Sequence, residues 1–196
     1  MTPRSPSRRR LALASMLLLA GCAVTPTPER RLYRLDSAAP EAAPPPPPGA
    51  EVWALATAVA LPEYLQRESI VVAAGDARLQ ALEGERWAEP LRDAVPRLLR
   101  SDLERLRGAG SVWNTPLPAG LVAARTLRLE IVELQADAAG SVLCVARWWL
   151  EDPAGRVPPR AGSATLREPA GSAAVEEIVR AHRRVLWRLA RLVATG

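Results

Sequence analysis

Thr126-Leu-Arg-Leu-Glu-Ile-Val-Glu-Leu-Gln135 and Ser141-Val-Leu-Cys-Val-Ala-Arg-Trp-Trp-Leu-Glu151 are two strand-patterned runs separated by Ala136-Asp-Ala-Ala-Gly140. Side chains alternate between faces along a strand. The second run therefore places Val142, Cys144, Ala146, Trp148 and Leu150 on one side and Leu143, Val145, Arg147 and Trp149 on the other. The pair reads as an antiparallel hairpin. In the first run Leu127, Leu129 and Ile131 share a face while Val132 and Leu134 take the opposite one, and that change of phase predicts a bulge near Ile131 and Val132.

Helical periodicity lies on both sides of the hairpin. Upstream, Leu91, Ala94, Val95, Leu98, Leu99, Leu103 and Leu106 recur at helix spacing, predicting a helix from about Trp87 to Arg107 with Gly108 as its stop. Pro96 falls inside this pattern, either kinking the helix or lying in a first turn capped by Asp93; the kink is the reading adopted. Trp87 is expected to staple the start of that helix onto the sheet. Downstream, Val175, Ile178, Val179, Val185, Leu186, Leu189 and Val193 form one stripe of a helix from about Ser172 to Ala194, with His182 on the same stripe as a boundary core residue. Arg180, Arg183, Arg184, Trp187 and Arg191 cluster on another side. That side is either a solvated basic face or a contact surface for an acidic partner or anionic headgroups, with Trp187 as its apolar anchor.

The remaining strands are shorter or less regular. Val52 to Leu61 is nearly continuous apolar sequence closed by Pro62 and suits a strand covered on both faces. Ser69-Ile-Val-Val-Ala73 reads as a second strand, Ala81 to Gly84 as a turn, and Val157 to Leu166 as a last, edge-type strand behind Pro158 and Pro159. The expected class is α+β: a single domain with a mixed or mainly antiparallel sheet packed by two amphipathic helices.

The amino-terminal end has a different character. Arg4, Arg8, Arg9 and Arg10 precede the apolar run Leu11 to Leu19, which ends in Leu19-Ala20-Gly21-Cys22. A basic start, a short apolar core and a small-residue cleavage site make a secretory signal, and the run is too short for a membrane span of about 20 residues. Leu-Ala-Gly-Cys resembles the lipobox of bacterial lipoproteins, whose cysteine is diacylated and becomes the new amino terminus. Residues 1–21 are accordingly the expected signal peptide, and residues 22–31 a lipidated tether attached at Cys22. By the same resemblance Ala23, standing where many inner-membrane lipoproteins carry Asp, points to the periplasmic face of the outer membrane.

The domain proper is expected over residues 32–196, with a Pro-rich segment at 40–48. Leu32 to Asp36 alternates like a strand, and the proline run cannot enter a sheet interior. Either this whole stretch is stalk, or Leu32 to Asp36 is a domain strand followed by a long exposed connection.

Composition narrows the chemistry. The net charge of +5 is mostly that of the leader, because setting aside its four arginines leaves 22 basic against 21 acidic residues. A nucleic-acid footprint is not indicated. The chain has no Lys, which excludes Schiff-base chemistry and Lys-dependent phosphate loops, and one His with two Cys argues against a zinc site. Gly162-Ser163 and Gly171-Ser172 lack the nucleophile-elbow frame, and Cys144 reads as a buried structural thiol. No catalytic residue, metal or cofactor is indicated.

The lipobox, Leu32-Tyr33-Arg34-Leu35, Leu61-Pro62-Glu63-Tyr64-Leu65-Gln66-Arg67 with Ile70-Val71, and Arg86-Trp87-Ala88-Glu89-Pro90-Leu91 occur in order along the chain. In these it resembles the ABC-type transport auxiliary lipoproteins, a family that includes paraquat-inducible lipoprotein C. The resemblance implies an outer-membrane, non-catalytic docking subunit working with a periplasmic MCE-domain protein and an inner-membrane ABC permease and ATPase in intermembrane lipid transport. Within that reading, Tyr64 and Leu65 either close a strand exit or line a partner-facing or self-association surface. The chain departs from the family pattern in its proline run and its lack of Lys. An alternative from another class is a periplasmic lipoprotein that itself holds lipid or envelope polymer as a carrier or chaperone.

Overall fold

The structure, a computed structural model, describes residues 29–56 and 59–195. The leader, Cys22 and most of the expected tether lie outside the described residues.

The hairpin is the centre of an eight-stranded mixed sheet. β6 (Arg125–Ala136) and β7 (Val142–Glu151) pair antiparallel, with the register shifting between Ile131 and Glu133 where the hydrophobic phase changes. β8 (Arg160–Glu168) pairs antiparallel with β7 and forms one edge. On the other side of β6, β2 (Trp53–Leu55) runs parallel to its start and β3 (Ser69–Ala73) meets its end at Val72 and Ala136. β4 (Leu79–Trp87) pairs antiparallel with β3, β1 (Arg31–Tyr33) runs parallel to β4, and β5 (Val112–Asn114) runs parallel to β2. α1 (Leu91–Arg107) and α2 (Val175–Thr195) pack on each other, α2 over β7 and β8 and α1 beside β5.

The core follows from the patterns. Val142, Cys144, Ala146 and Leu150 of β7 and Leu127, Leu129 and Ile131 of β6 are buried beneath the helices, together with Leu98, Leu99 and Leu103 of α1 and Val185, Leu186 and Leu189 of α2. Full burial of one such side chain contributes about 1.5–3 kcal/mol. Gly162 of β8 belongs to this layer for a steric reason: a Cβ there would lie 2.4 Å from the Trp148 ring, so the absent side chain is what lets the indole lie flat over the strand.

Several expectations are corrected. α1 begins at Leu91 rather than near Trp87, because β4 runs through to Trp87 and the Glu89-Pro90 bend separates the two. Pro96 lies in the second turn, clear of any Asp93 cap; its missing N–H leaves the carbonyl of the exposed Arg92 to solvent. Trp87 keeps a structural role, in the core cluster that also holds Leu91 at the start of α1. It is buried at the end of β4, edge-on to the His182 ring of α2 at 5.6 Å between centroids.

Ala81 to Gly84 belongs to β4 and is no turn. Ser69 faces Arg86 while Val71 faces Ala81, so β4 carries extra residues there, and Gly84 with φ +76° permits that bulge. Among the described residues of the ten-residue apolar run, only Trp53–Leu55 is a regular strand, with a further bridge at Ala60 to Glu130.

The two readings of the proline segment are also resolved. β1 pairs with β4, and Leu35 is buried, so this part of the chain is domain and not stalk. The prolines then form a surface strap: Pro44, Pro45 and Pro47 line one groove together with Leu106 and Arg107 of α1 and Arg188, Arg191 and Leu192 of α2.

Candidate functional site

The helix layer and the strap are tied by one buried ion pair. Arg183 of α2 grips Asp102 of α1 with both terminal nitrogens, at 2.7 and 2.8 Å, while its Nε donates to the carbonyls of Asp36 (2.8 Å) and Ala38 (3.0 Å) at the root of the strap. Asp102 is fully buried and also accepts from Arg105 at 3.1 Å. Burial holds the Asp102 carboxyl above its ordinary range, against the opposing pull of Arg183 and Arg105. Of the two, only Asp102 carries a signal of burial in the sequence. Asp102 falls three residues after Leu99, on an apolar stripe where a lone charge requires a mate, whereas Arg183 reads as one more cation of the basic face.

The strap closes over a groove of about 500 Å³, lined by Pro44, Pro45, Pro47, Leu106, Leu166 and Leu192 with Arg107, Arg188 and Arg191. The Arg107 guanidinium stacks 3.4 Å from the centre of the Trp53 ring and donates to the Glu51 carbonyl at 3.1 Å. Burial pulls its pKa below the usual arginine range.

The basic helix face exists in part. Arg180 and Arg191 are exposed and Arg184 is half-buried, but each meets a carboxylate of this chain: Arg180 pairs with Glu177, Arg184 with Glu168 at 2.7 Å and Arg191 with Glu41 at 2.9 Å. Trp187 does not join them. It is 1% exposed and part of the core, because α2 sits between sheet, α1 and strap and so buries a wider arc than one stripe. Trp187 is therefore no surface anchor, and Arg183 is no surface charge.

Tyr64 and Leu65 sit on a short 3₁₀ turn, Glu63–Gln66. Leu65 is buried in the core, which removes it from any partner-facing surface. Tyr64 fills a gap in the sheet. β6 turns the N–H and C=O of Leu134 away from β7, and among the described residues no strand reaches them between the Ala60 bridge and the Val72 pairing. The Tyr64 hydroxyl does, accepting from Leu134 N–H at 3.1 Å and donating to its carbonyl at 3.4 Å. Its half-buried phenol is a strand substitute.

Cys144 and His182, the two groups with latent acid–base or nucleophilic chemistry, are both inside. Burial pushes the Cys144 thiol up to about 12. Burial also pulls His182 down to about 4, with its Nδ1 2.8 Å from the Ile178 carbonyl. A neutral thiol and a neutral imidazole, each shut away from solvent, are packing groups.

A family model described as the ABC-type transport auxiliary lipoprotein component matches residues 33–194. The chain belongs to that family. The match opens at Tyr33, the last residue of β1, and closes near the end of α2, so it takes in the strap. Two solved structures share the fold. A crystal structure of an uncharacterized protein superposes with a TM-score of 0.68 at 18% identity, over 85% of this chain and 97% of that one. A protein from Xanthomonas campestris gives a TM-score of 0.62 at 15% identity, over 84% of this auxiliary lipoprotein and 92% of its neighbour. At such identities the likeness is one of fold. No curated protein matches the chain in sequence.

Proposed function

We propose that this auxiliary lipoprotein is held at the periplasmic face of the outer membrane by acyl chains on Cys22, and serves there as a non-catalytic docking subunit of an ABC transport system whose periplasmic component carries MCE domains and whose cargo is lipid. The family match over residues 33–194 carries the reading. The basic leader and the Leu19-Ala-Gly-Cys22 lipobox support the anchor. Burial of each acyl methylene contributes about 0.8 kcal/mol, so two or more long chains fix the domain durably. The internal placement of Cys144 and His182 favours a positional role over bond-making. The exposed heads of Arg180 and Arg191, with the half-buried Arg184 beside them, are the part of the expected contact surface that supports an acidic partner.

Capture of the MCE-domain protein on acylated wild type, compared with Cys22→Ala, separates docking from anchoring. Docking predicts that detergent-solubilised wild type and variant capture the partner equally, while only the wild type sediments with outer membrane. No capture by either form removes the docking reading.

The alternative, a lipid- or polymer-holding carrier, rests on the strap groove. Its volume falls in the range of small-molecule sites, roughly 300–1,000 Å³. A lipid co-purifying in stoichiometric amount, and lost on Leu192→Glu, would favour that reading over docking.

A further inference from the structure

The edge of the sheet at β8 is open. Its residues pair with β7 in nine consecutive positions, from Arg160 with Leu150 to Glu168 with Val142, without a bulge. In an antiparallel ladder, alternate residues turn both N–H and C=O toward the same neighbour. Arg188 reaches the carbonyl of Arg167 at 2.8 Å, so the odd-numbered residues of β8 address the side away from β7. The phase agrees across the hairpin, where the Asp137 N–H donates to the Ser141 carbonyl at 2.9 Å and the odd residues of β7 thereby serve β6. The N–H and C=O groups of Ala161, Ser163 and Thr165 consequently point outward. All three residues are exposed, and among the described residues none of these groups has a partner.

Edges of this length are ordinarily blunted by central charges, bulges or proline. Here Pro158 and Pro159 stop short of the strand, and its charges stand at the ends, leaving Ala161-Gly-Ser-Ala-Thr165 between them. We propose that β8 pairs antiparallel with the β8 of a second copy of this chain, about a two-fold axis at Ala164, so that two sheets become one. In that register Ser163 of each copy faces Thr165 of the other and exchanges two hydrogen bonds with it, four in all by symmetry. Gly162 faces Leu166, and Arg160, the basic end, faces Glu168, the acidic end.

Opposed residues share a face, and Glu168 is on the helix side, where it already holds Arg184 at 2.7 Å and Arg188 at 3.0 Å. The added Arg160 contact therefore selects the register more than it strengthens the pair. Moving the axis to Ser163 puts Arg160 against Leu166, and moving it to Thr165 puts Glu168 against Gly162; both lose the only opposite-charge pairing.

The full chain, purified in detergent, provides the test. Ala164 turns its own N–H toward β7, so two copies meet there as a non-hydrogen-bonded pair with Cα atoms about 4.5 Å apart, within disulfide reach. Mild oxidation of Ala164→Cys is expected to give a covalent dimer on a non-reducing gel, whereas Ala161→Cys, opposite Arg167, gives no more than the parent chain. Ser163→Pro removes an outward donor from each copy without touching the β7 ladder and is expected to weaken association by at least about tenfold in sedimentation equilibrium. A parent that stays monomeric at about 100 µM, cross-linking that is equal at positions 161 and 164, or a dimer indifferent to Ser163→Pro would overturn the proposal.

Discussion

Asp102→Ala tests the clamp that joins the helix layer to the strap. Arg183 is 4% exposed and Asp102 is fully buried, so truncating the carboxylate leaves a buried guanidinium without its counter-ion. Breaking one side of such a pair costs about 3–5 kcal/mol. For a domain of this size that lowers Tm by roughly 6–20 °C.

Arg183→Met is expected to cost a similar amount for two reasons. It leaves Asp102 with Arg105 alone, and it takes the donor from the Asp36 and Ala38 carbonyls. Replacing both partners, as Asp102→Leu with Arg183→Met, removes the orphaned charge. Only the two carbonyl bonds are then lost, at about 1 kcal/mol each. Urea unfolding followed by circular dichroism on the parent, Asp102→Leu, Arg183→Met and the double variant yields the coupling directly. Additive single-mutant losses, or a loss below about 1 kcal/mol for Asp102→Ala, would refute the clamp.

Three other outcomes follow from buried polar groups. His182 has a folded pKa of about 4 against an ordinary 6.5, so the unfolded chain takes up a proton first as pH falls. Its share of stability is complete above about pH 6.5 and is lost toward pH 4, by about 3 kcal/mol, and His182→Leu should flatten that part of the pH–stability curve. Tyr64→Phe leaves the N–H and C=O of Leu134 without their partner and is expected to cost about 1–3 kcal/mol in urea unfolding, although the phenol is only half-buried. Cys144, its thiol raised to about 12, should resist iodoacetamide at pH 8 in the native protein and react once the chain is unfolded; rapid native labelling would contradict its placement.

The parts of the fold legible in the sequence are those set by local periodicity. The β6–β7 hairpin, its bulge beside Ile131, the α1 stripe and the edge position of β8 all follow from which faces of each element are apolar. What periodicity does not reveal is long-range pairing. β1 and β5 are three residues each and exist as strands only because β4 and β2 lie alongside them. Trp187 was misplaced for a related reason: a helix wheel separates apolar from charged residues, whereas α2 is enclosed on several sides, and its neighbour Arg183 is buried because Asp102, 81 positions earlier, meets it. Tyr64 stood out in the sequence as a motif residue, but its role depends on a gap in a sheet edge that no local pattern encodes.

The anchor at Cys22 is what holds the domain in the place where the proposed docking occurs. Mass spectrometry of the amino-terminal peptide, from protein recovered in the outer-membrane fraction of its native host, reads it directly. The predicted species begins at Cys22, lacks residues 1–21 and carries the mass of a diacylglyceryl group on sulfur. A chain that retains residues 1–21, or a Cys22 with a free thiol, would contradict it.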